Sequence, residues 1–178
     1  MVITEFYSHF GGLEHILCHS PYVWSELQAS ILAADSPRVA RGPGDDAGSA
    51  PAWNALAIAL ERELTERGWN VQRRPSAQSA SRAARRTRDF VTNRVWTQLQ
   101  LGTRLDAAER FAAMSQVLYQ RDAIDVAVGV LPMRQEQAGL TADTATYQSV
   151  RSDLLSLGRS ALPVPLVLVG IGVSSPAA

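Results

Sequence analysis

The sequence predicts one α/β domain in which helices flank a central mixed β-sheet. Residues 94–101 alternate apolar and polar side chains with the period of a strand, residues 106–120 carry the apolar stripe of a helix, and residues 124–131 form a β-branched apolar run. A strand, a helix and a strand in this order indicate a right-handed crossover between parallel strands. A length of 178 residues suits one hydrophobic core, so we expect a single domain over residues 1–178.

Further helices and a last strand are predicted on either side of this unit. Residues 21–34 place Val23, Trp24 and Leu27 on one side of a helix that begins at Pro21 or slightly earlier. Residues 52–67 form a second helix, ended by Gly68. Residues 146–157 are compatible with another helix, and residues 164–171 with a buried strand. The apolar segments therefore supply helices for both faces of the sheet.

Two polar connectors separate these elements. Residues 36–51 are rich in Pro, Gly, Asp and Ser, and residues 73–88 are rich in Ser, Ala and Arg, so both are expected at the surface. Between residues 73 and 94 the chain carries one acid, Asp89, and the arginines Arg73, Arg74, Arg82, Arg85, Arg86, Arg88 and Arg94. This local positive charge fits either a solvated surface or contact with phosphate.

Composition excludes several classes of protein. Basic and acidic residues balance at 17 each, which argues against a uniformly basic surface. There is no lysine to act in catalysis, and the single Cys18 excludes both an intrachain disulfide and a thiolate zinc cage. The apolar stretch 163–173 is about half the roughly 20 residues that a membrane-spanning helix needs, and the N-terminus lacks the pattern of an export signal. We therefore expect a cytoplasmic protein without a membrane partner.

One cluster has the spacing of metal ligands. His15, Cys18 and His19 follow the i, i+3, i+4 pattern of one helix face. Three ligands on one short segment that must also pack seldom share a metal ion. We therefore expect no metal there.

A second group of polar side chains suggests hydrolytic chemistry. Asp89 lies just before the predicted strand 94–101, and Gln98 and Gln100 project from one face of that strand. Mg²⁺ takes hard oxygen ligands, normally one or two carboxylates with water and substrate phosphate, whereas this group offers one carboxylate and two amides. Polar residues on the outer face of a strand need no function, so the spacing alone leaves both interpretations open.

Four blocks of the sequence resemble, in the right order, those of BglII/BstYI-type restriction endonucleases. The blocks are residues 7–15, 89–102, 124–133 and 164–170, and they span nearly the whole chain. The resemblance implies the PD-(D/E)XK restriction-endonuclease-like fold. It further implies a type II enzyme that binds a short palindromic, GATC-centred site in double-stranded DNA as a homodimer and hydrolyses phosphodiesters with Mg²⁺, without an organic cofactor.

The resemblance also assigns roles to the polar group. The family pattern is Asp-x8-Glu-x-Gln, in which Asp89 and Gln100 match while Gln98 stands where glutamate is expected. It makes Asp89 and Gln98 the metal-ligand positions and Gln100 the residue that orients the scissile phosphate or the attacking water. A neutral amide binds Mg²⁺ weakly, so we expect impaired catalysis. Asp106 and Glu109 are candidates for a substitute acid, although both also suit the first turn of a helix.

Contacts with DNA are implied in two regions. The resemblance assigns phosphate contact to Arg85, Arg86, Arg88 and Arg94. It assigns base contact to a loop over residues 141–149 that contains Thr144, Thr146, Tyr147 and Gln148. Asp125, inside an apolar strand, has two open interpretations, a catalytic acid and a buried, hydrogen-bonded acid, of which the second is favoured because its block of the resemblance is structural. Two alternatives to an active nuclease remain: a catalytically inactive, sequence-specific DNA-binding protein, and a partner subunit of an active relative.

Overall fold

A computed structural model describes residues 1–34, 51–72, 87–100, 107–134, 144–158 and 162–172. Within these ranges strands and helices mix along the chain, as expected for an α/β fold. The elements are β1 (Val2–His9), α1 (Gly12–His19), α2 (Pro21–Ala34), α3 (Pro51–Glu66), β2 (Asn70–Gln72), β3 (Thr87–Thr92), β4 (Val95–Gln100), α4 (Ala107–Gln120), β5 (Val126–Pro132), α5 (Tyr147–Leu157) and β6 (Leu166–Gly172).

The strands form one mixed sheet in the order β1-β6-β5-β4-β3-β2. β4, β5 and β6 are parallel to one another, whereas β1 pairs antiparallel with β6 and the β2-β3-β4 side is antiparallel. The parallel pairing of β4 with β5 across helix α4 confirms the predicted strand-helix-strand unit. The mixed sheet flanked by helices confirms the predicted fold class.

Helices cover both faces of the sheet. Val95 and Leu99 of β4 pack in a core with α1, α2 and α3, whereas Trp96 packs on the opposite face with α4 and α5. This division follows from the alternation of side chains along a strand. Every residue of β5 and of β6 is buried, which explains why both strands are continuous apolar runs in the sequence.

Helix α1 approaches the sheet very closely at Gly12. A Cβ atom built on Gly12 would lie 2.5 Å from the backbone oxygen of Leu166 in β6. No side chain fits in that space, so only glycine allows α1 to pack at this distance.

Some elements near the chain start and in the polar connectors were not predicted from the sequence. β1, α1, β2 and β3 were not predicted, and residues 87–88, assigned to a connector, are the first residues of β3. β3 opens with Thr87, Arg88 and Asp89, which show no apolar alternation, so pairing with β4 and not intrinsic pattern defines the strand. Connector residues 36–50 and 73–86 lie outside the described residues.

In the described ranges, no helix combines the length and the apolar character that crossing a bilayer requires.

Candidate active site

The β3–β4 hairpin carries the candidate catalytic residues and has an unusual turn. Thr92 pairs with Val95, so Asn93 and Arg94 alone make the connection, with φ values of 42° and 62°. Positive φ at both central residues is the signature of a type I′ turn, which suits asparagine better than arginine. Asn93 donates a hydrogen bond from Nδ2 to Ser20 Oγ, just beyond helix α1. The turn is therefore held by a contact outside the sheet.

Arg94 fixes the same turn from the other side. Its Nε and Nη2 donate to the two carboxylate oxygens of Asp125, each at 2.9 Å, and Nη1 and Nη2 donate to the backbone and side-chain oxygens of Asp122. The amide of Asp125 in turn donates to the Arg94 carbonyl at 2.8 Å. The side-chain hydrogen bonds to Asp125 and Asp122 raise the pKa of Arg94. The hydrogen bonds from the Arg94 side chain lower the pKa of Asp125, although burial acts in the opposite direction. Two carboxylates thus compensate the Arg94 charge.

The structure confirms that Asp125 is hydrogen-bonded, but the expectation that it is buried is wrong. The carboxylate is hydrogen-bonded, but its side chain is 40% exposed, so it is not a buried acid. The reason is its position: Asp125 precedes β5, which begins at Val126.

Asp89 and Gln98 lie directly opposite each other on the hairpin. They are register partners in β3 and β4, and their exposed fractions are 5% and 3%. Gln98 Nε2 donates to Asp89 Oδ1 at 3.0 Å. The two side chains that the sequence predicts to act together are thus in direct contact in a buried setting.

The chemistry of the two groups fixes the orientation of the Gln98 amide. An ionised carboxylate only accepts hydrogen bonds, so the amide turns its NH₂ group toward Asp89 and its oxygen away. The NH₂ group carries the partial positive charge of the amide. The partial positive charge of the Gln98 amide therefore faces the Asp89 carboxylate, as a cation would.

The pair fits Mg²⁺ poorly in this arrangement. Mg²⁺ needs oxygen ligands in near-octahedral geometry, and only Asp89 directs a charged oxygen toward the space between the two side chains. The described residues contain no group of three His, Cys, Asp or Glu side chains that could hold a metal ion. Binding Mg²⁺ between Asp89 and Gln98 would require the amide to rotate and give up its hydrogen bond.

Apolar packing borders the pair on the β5 side. Gln98 is aligned with Gly129, where an added Cβ would lie 3.0 Å from Leu168 and 3.3 Å from the ring of Phe111. Phe111 of α4 also stacks on Trp96, with ring centroids 5.4 Å apart. These apolar neighbours lower the local polarity, which strengthens the electrostatic interaction between Asp89 and Gln98.

The remaining catalytic candidates are placed less fully. Gln100 pairs with Thr87 and follows Gln98 by two residues, so strand alternation puts it on the same face, but its side chain lies outside the described part of the structure. Glu109 is exposed in the first turn of α4, and Asp106 lies outside the described residues. Their roles stay predictions.

The arginines of the predicted phosphate-contacting segment are mostly not described. Arg85 and Arg86 lie outside the described residues, and Arg88 is described only as part of strand β3, without its side chain. Arg94 is described, and its bonds to Asp122 and Asp125 favour a structural role. A phosphate would have to compete with both carboxylates for it.

The four candidates for base contact lie at the start of α5. Thr146 caps the helix: its hydroxyl accepts from the Ser149 amide, and the Ser149 hydroxyl contacts the Thr146 amide in return. Thr144 and Tyr147 are also buried, and burial raises the pKa of the tyrosine. Gln148 is half-buried, and its side-chain oxygen accepts from the Arg134 amide at 2.9 Å. Each of these residues therefore has a role in the local structure. Their contact with bases stays a prediction.

Sequence reasoning missed the two anchors of the hairpin turn, Ser20 and Asp122. One signal for the turn was present, because asparagine in a two-residue connection between strands is typical of type I′ hairpins. No local pattern links Asn93 to Ser20, which lies 73 residues away.

Comparison with known proteins identifies the family. The family model described as restriction endonuclease BglII/BglIII matches residues 4–171. The crystal structure of free BglII superposes with a TM-score of 0.71 at 14% identity, covering 99% of this chain and 82% of that chain. BglII complexed with a DNA 16-mer gives a TM-score of 0.70 at the same identity, covering 99% and 81%. A search of curated proteins gives no match. This chain belongs to the BglII/BglIII family of restriction endonucleases, whose fold it shares over nearly its full length.

Proposed function

We propose that this protein binds a short palindromic, GATC-centred site in double-stranded DNA as a homodimer and hydrolyses its phosphodiesters with Mg²⁺, with catalysis impaired by Gln98. Membership of a family of site-specific nucleases supports the DNA target. The structure of BglII complexed with a DNA 16-mer, which has the same fold, supports DNA as the ligand. A twofold dimer matches the twofold symmetry of a palindrome, because each subunit can read one half-site.

The observation that carries the proposed impairment is the hydrogen bond from Gln98 to Asp89. Hydrolysis by this type of enzyme depends on Mg²⁺, which activates water and neutralises developing charge. The amide supplies no negative charge, and in its present orientation it gives Asp89 a partner that competes with a metal ion. The site should therefore hold Mg²⁺ weakly and activate water poorly.

Two residues could offset this loss. Glu109 is exposed near the start of α4, the helix that packs on the same face as the Asp89–Gln98 pair, and Asp106 precedes that helix. If either carboxylate reaches a metal ion at Asp89, the protein cleaves DNA without any change at Gln98. We propose that Gln100 then orients the scissile phosphate or the attacking water.

A catalytically inactive DNA-binding protein is the second candidate function, and the same hydrogen bond favours it. A buried cluster of carboxylates repels DNA phosphate unless a cation is present. Replacing one carboxylate by an amide that donates to the other reduces this repulsion by one charge. DNA binding should then depend less on Mg²⁺ in the wild-type protein than in Gln98→Glu. A partner subunit that needs an active relative would not bind DNA alone.

Plasmid cleavage tests these functions directly. A plasmid with many GATC-centred sites is incubated in Mg²⁺ or Mn²⁺ with the wild-type protein, Gln98→Glu, and Gln98→Glu combined with Asp89→Asn. An impaired nuclease should bind and cut much more slowly than Gln98→Glu, whereas a catalytically inactive protein should bind without cutting. In both cases we expect Gln98→Glu to produce discrete fragments and the double variant to be silent. Fragments formed at the same rate by the wild-type protein would show that another acid completes the site. Absence of DNA binding by wild-type protein would refute both DNA-binding functions.

A further inference from the structure

Arg134 lies where the carboxyl end of β5 meets the first turn of α5. β5 ends at Pro132, and β4 and β6 run parallel to it, so the carboxyl ends of the three strands lie at one edge of the sheet. Ligands of α/β sheets commonly bind at this edge. Met133, which precedes Arg134, packs in the same core as Tyr147 of α5. Arg134 therefore stands at the edge that a ligand would approach.

A side chain of α5 fixes the backbone of Arg134. Gln148 Oε1 accepts a hydrogen bond from the Arg134 amide at 2.9 Å, and Gln148 Nε2 contacts Met133 Sδ at 3.8 Å. Both ends of the Gln148 amide group thus contact the segment that follows β5. The chain from which the Arg134 side chain extends is therefore tied to a helix.

The Arg134 side chain has the free donors in this region. Tyr147 is only 1% exposed, and the Thr146 hydroxyl serves as the cap of α5. The Arg134 side chain is exposed, and the ion pairs found among the described residues involve Arg62 and Arg94 but not Arg134. Its guanidinium N–H groups are therefore available to a ligand that accepts hydrogen bonds.

The position of Arg134 suits recognition of a site better than hydrolysis. Gln98 is aligned with Gly129, and the extended chain from Gly129 to Arg134 spans roughly 16 Å. Successive bases of one DNA strand are about 3.4 Å apart along the helix axis. With a phosphate held at Asp89, Arg134 would therefore meet a base pair other than the one at that phosphate.

We propose that Arg134 donates to O6 and N7 of the guanine of the recognition site in the major groove, and that Gln148 positions it. The inference rests on the proposed binding of a GATC-centred duplex. Paired donation to these two atoms is the commonest specific contact of arginine with a base. Such a contact needs a rigidly supported side chain, and the hydrogen bond from the Arg134 amide to Gln148 supplies that support. Gln148 then acts through Arg134 and does not itself contact a base.

Binding to a modified duplex tests the proposal. Fluorescence anisotropy compares a duplex with the GATC-centred site, a scrambled duplex, and the first duplex with 7-deazaguanine, which lacks N7, in place of the guanine of GATC. Ca²⁺ replaces Mg²⁺, since its longer and more flexible coordination disfavours hydrolysis. Wild type should bind the modified duplex at least about fivefold more weakly than the unmodified one.

The variants assign this discrimination to one side chain. Arg134→Ala should bind the GATC duplex about 5- to 150-fold more weakly than wild type does, and it should not distinguish guanine from 7-deazaguanine. Gln148→Met, which removes the acceptor of the Arg134 amide, should discriminate less than wild type but more than Arg134→Ala. Arg121→Ala is the matched control, because Arg121 is an exposed arginine beyond the end of α4, before β5 begins. It should discriminate as wild type does.

Several results would overturn the proposal. If Arg134→Ala weakens binding to the GATC and scrambled duplexes equally, Arg134 contacts phosphate and not a base. If Arg134→Ala still distinguishes the modified duplex as wild type does, another residue contacts the guanine. Wild-type discrimination in Gln148→Met would remove the positioning role. Wild type that prefers the GATC duplex but ignores the modification would overturn this inference alone, whereas wild type that does not prefer the GATC duplex would also overturn the proposed function.

Discussion

Gln98 Nε2 donates a 3.0 Å hydrogen bond to Asp89 Oδ1 across the β3–β4 hairpin, in a pair that is almost fully buried. The sequence resemblance predicts a second carboxylate at the position of the donor. A hydrogen bond between a buried amide and a buried carboxylate stabilises the protein without a metal ion. Two carboxylates at the same positions would repel each other unless a cation or a proton lay between them.

The first prediction concerns the stability of Gln98→Glu. Without metal, this variant should be destabilised by about 1–3 kcal/mol, because a donor to a buried acceptor is lost and a like charge is introduced. Mg²⁺ should restore most of that loss. Urea unfolding in EDTA and in Mg²⁺ measures both effects. Gln98→Leu, which removes the donor without adding charge, should show the destabilisation but no response to Mg²⁺, and an equal response in wild type and Gln98→Glu would contradict the prediction.

The second prediction concerns the ion pair of Arg94 with Asp125. Hydrogen bonds from Arg94 lower the pKa of Asp125 in the folded state, so the pair contributes stability above the ordinary carboxyl pKa of about 3.9. This contribution is lost as pH falls through the lower, folded-state pKa. Arg94→Ala should therefore unfold at a lower temperature than wild type at pH 6–8, and the difference should shrink below about pH 4.

Arg62→Ala is the matched control for this pH dependence. Arg62 is also partly exposed, but its ion pairs with Glu63 and Glu66 are 3.6 Å long and lie on one helix surface. Exposed pairs of this kind contribute little. The loss of unfolding temperature relative to wild type should therefore depend on pH between pH 3 and pH 8 in Arg94→Ala but not in Arg62→Ala. The same pH dependence in both variants would contradict the anchoring role of Arg94.

The third prediction concerns Thr146, to which the sequence resemblance assigned a base contact. Its hydroxyl caps α5 and exchanges hydrogen bonds with Ser149. Thr146→Ala should therefore cost about 1 kcal/mol of folding free energy, whereas Thr146→Ser should cost much less because it keeps the capping oxygen. Chemical denaturation measures the two variants. If Thr146→Ala leaves stability unchanged but alters the preferred DNA sequence, the residue acts in recognition and not as a cap.

The fourth prediction concerns the salt dependence of DNA binding. If Arg85, Arg86 and Arg88 each contact phosphate, changing all three to alanine should weaken binding to every sequence. It should also reduce the slope of log affinity against log salt by about 0.9 per lost contact. Arg94→Ala should leave this slope unchanged, because its guanidinium is bound to Asp122 and Asp125. Fluorescence anisotropy at several salt concentrations measures the slopes, and an unchanged slope in the triple variant would remove this segment from the DNA interface.

The parallel strands at the centre of the sheet were predictable because each one has a recognisable pattern in its own segment of the sequence. β4, α4, β5 and β6 each have a clear strand or helix period, and strand-helix-strand order determines a parallel pair. The direct opposition of Asp89 and Gln98 was not predicted, because β3 shows no apolar alternation, but it follows from the turn that the structure reveals. A two-residue turn at Asn93 and Arg94 pairs Thr92 with Val95, and counting back three residues on each strand brings Asp89 opposite Gln98.

Other features depend on contacts between distant segments and were not predictable. β1 is an edge strand of mixed exposure, so its apolar residues do not alternate cleanly. The bonds of Arg94 to Asp122 and Asp125 depend on how the α4–β5 connection meets the hairpin turn. An arginine in a positively charged segment therefore looked like a phosphate contact, although the fold supplies two carboxylates to it.

The fifth prediction tests how tightly the N-terminal helix packs on the sheet. In Gly12→Ala, the new methyl group would lie 2.5 Å from the Leu166 backbone oxygen and 2.7 Å from the backbone nitrogen, and backbone atoms cannot move aside as a side chain can. α1 must then shift from β6, at a cost of about 1–3 kcal/mol. Cys18→Ala, at an exposed position of the same helix, should change stability by less than about 0.5 kcal/mol. Equal stability of the two variants would mean that the close approach of α1 to β6 is not required.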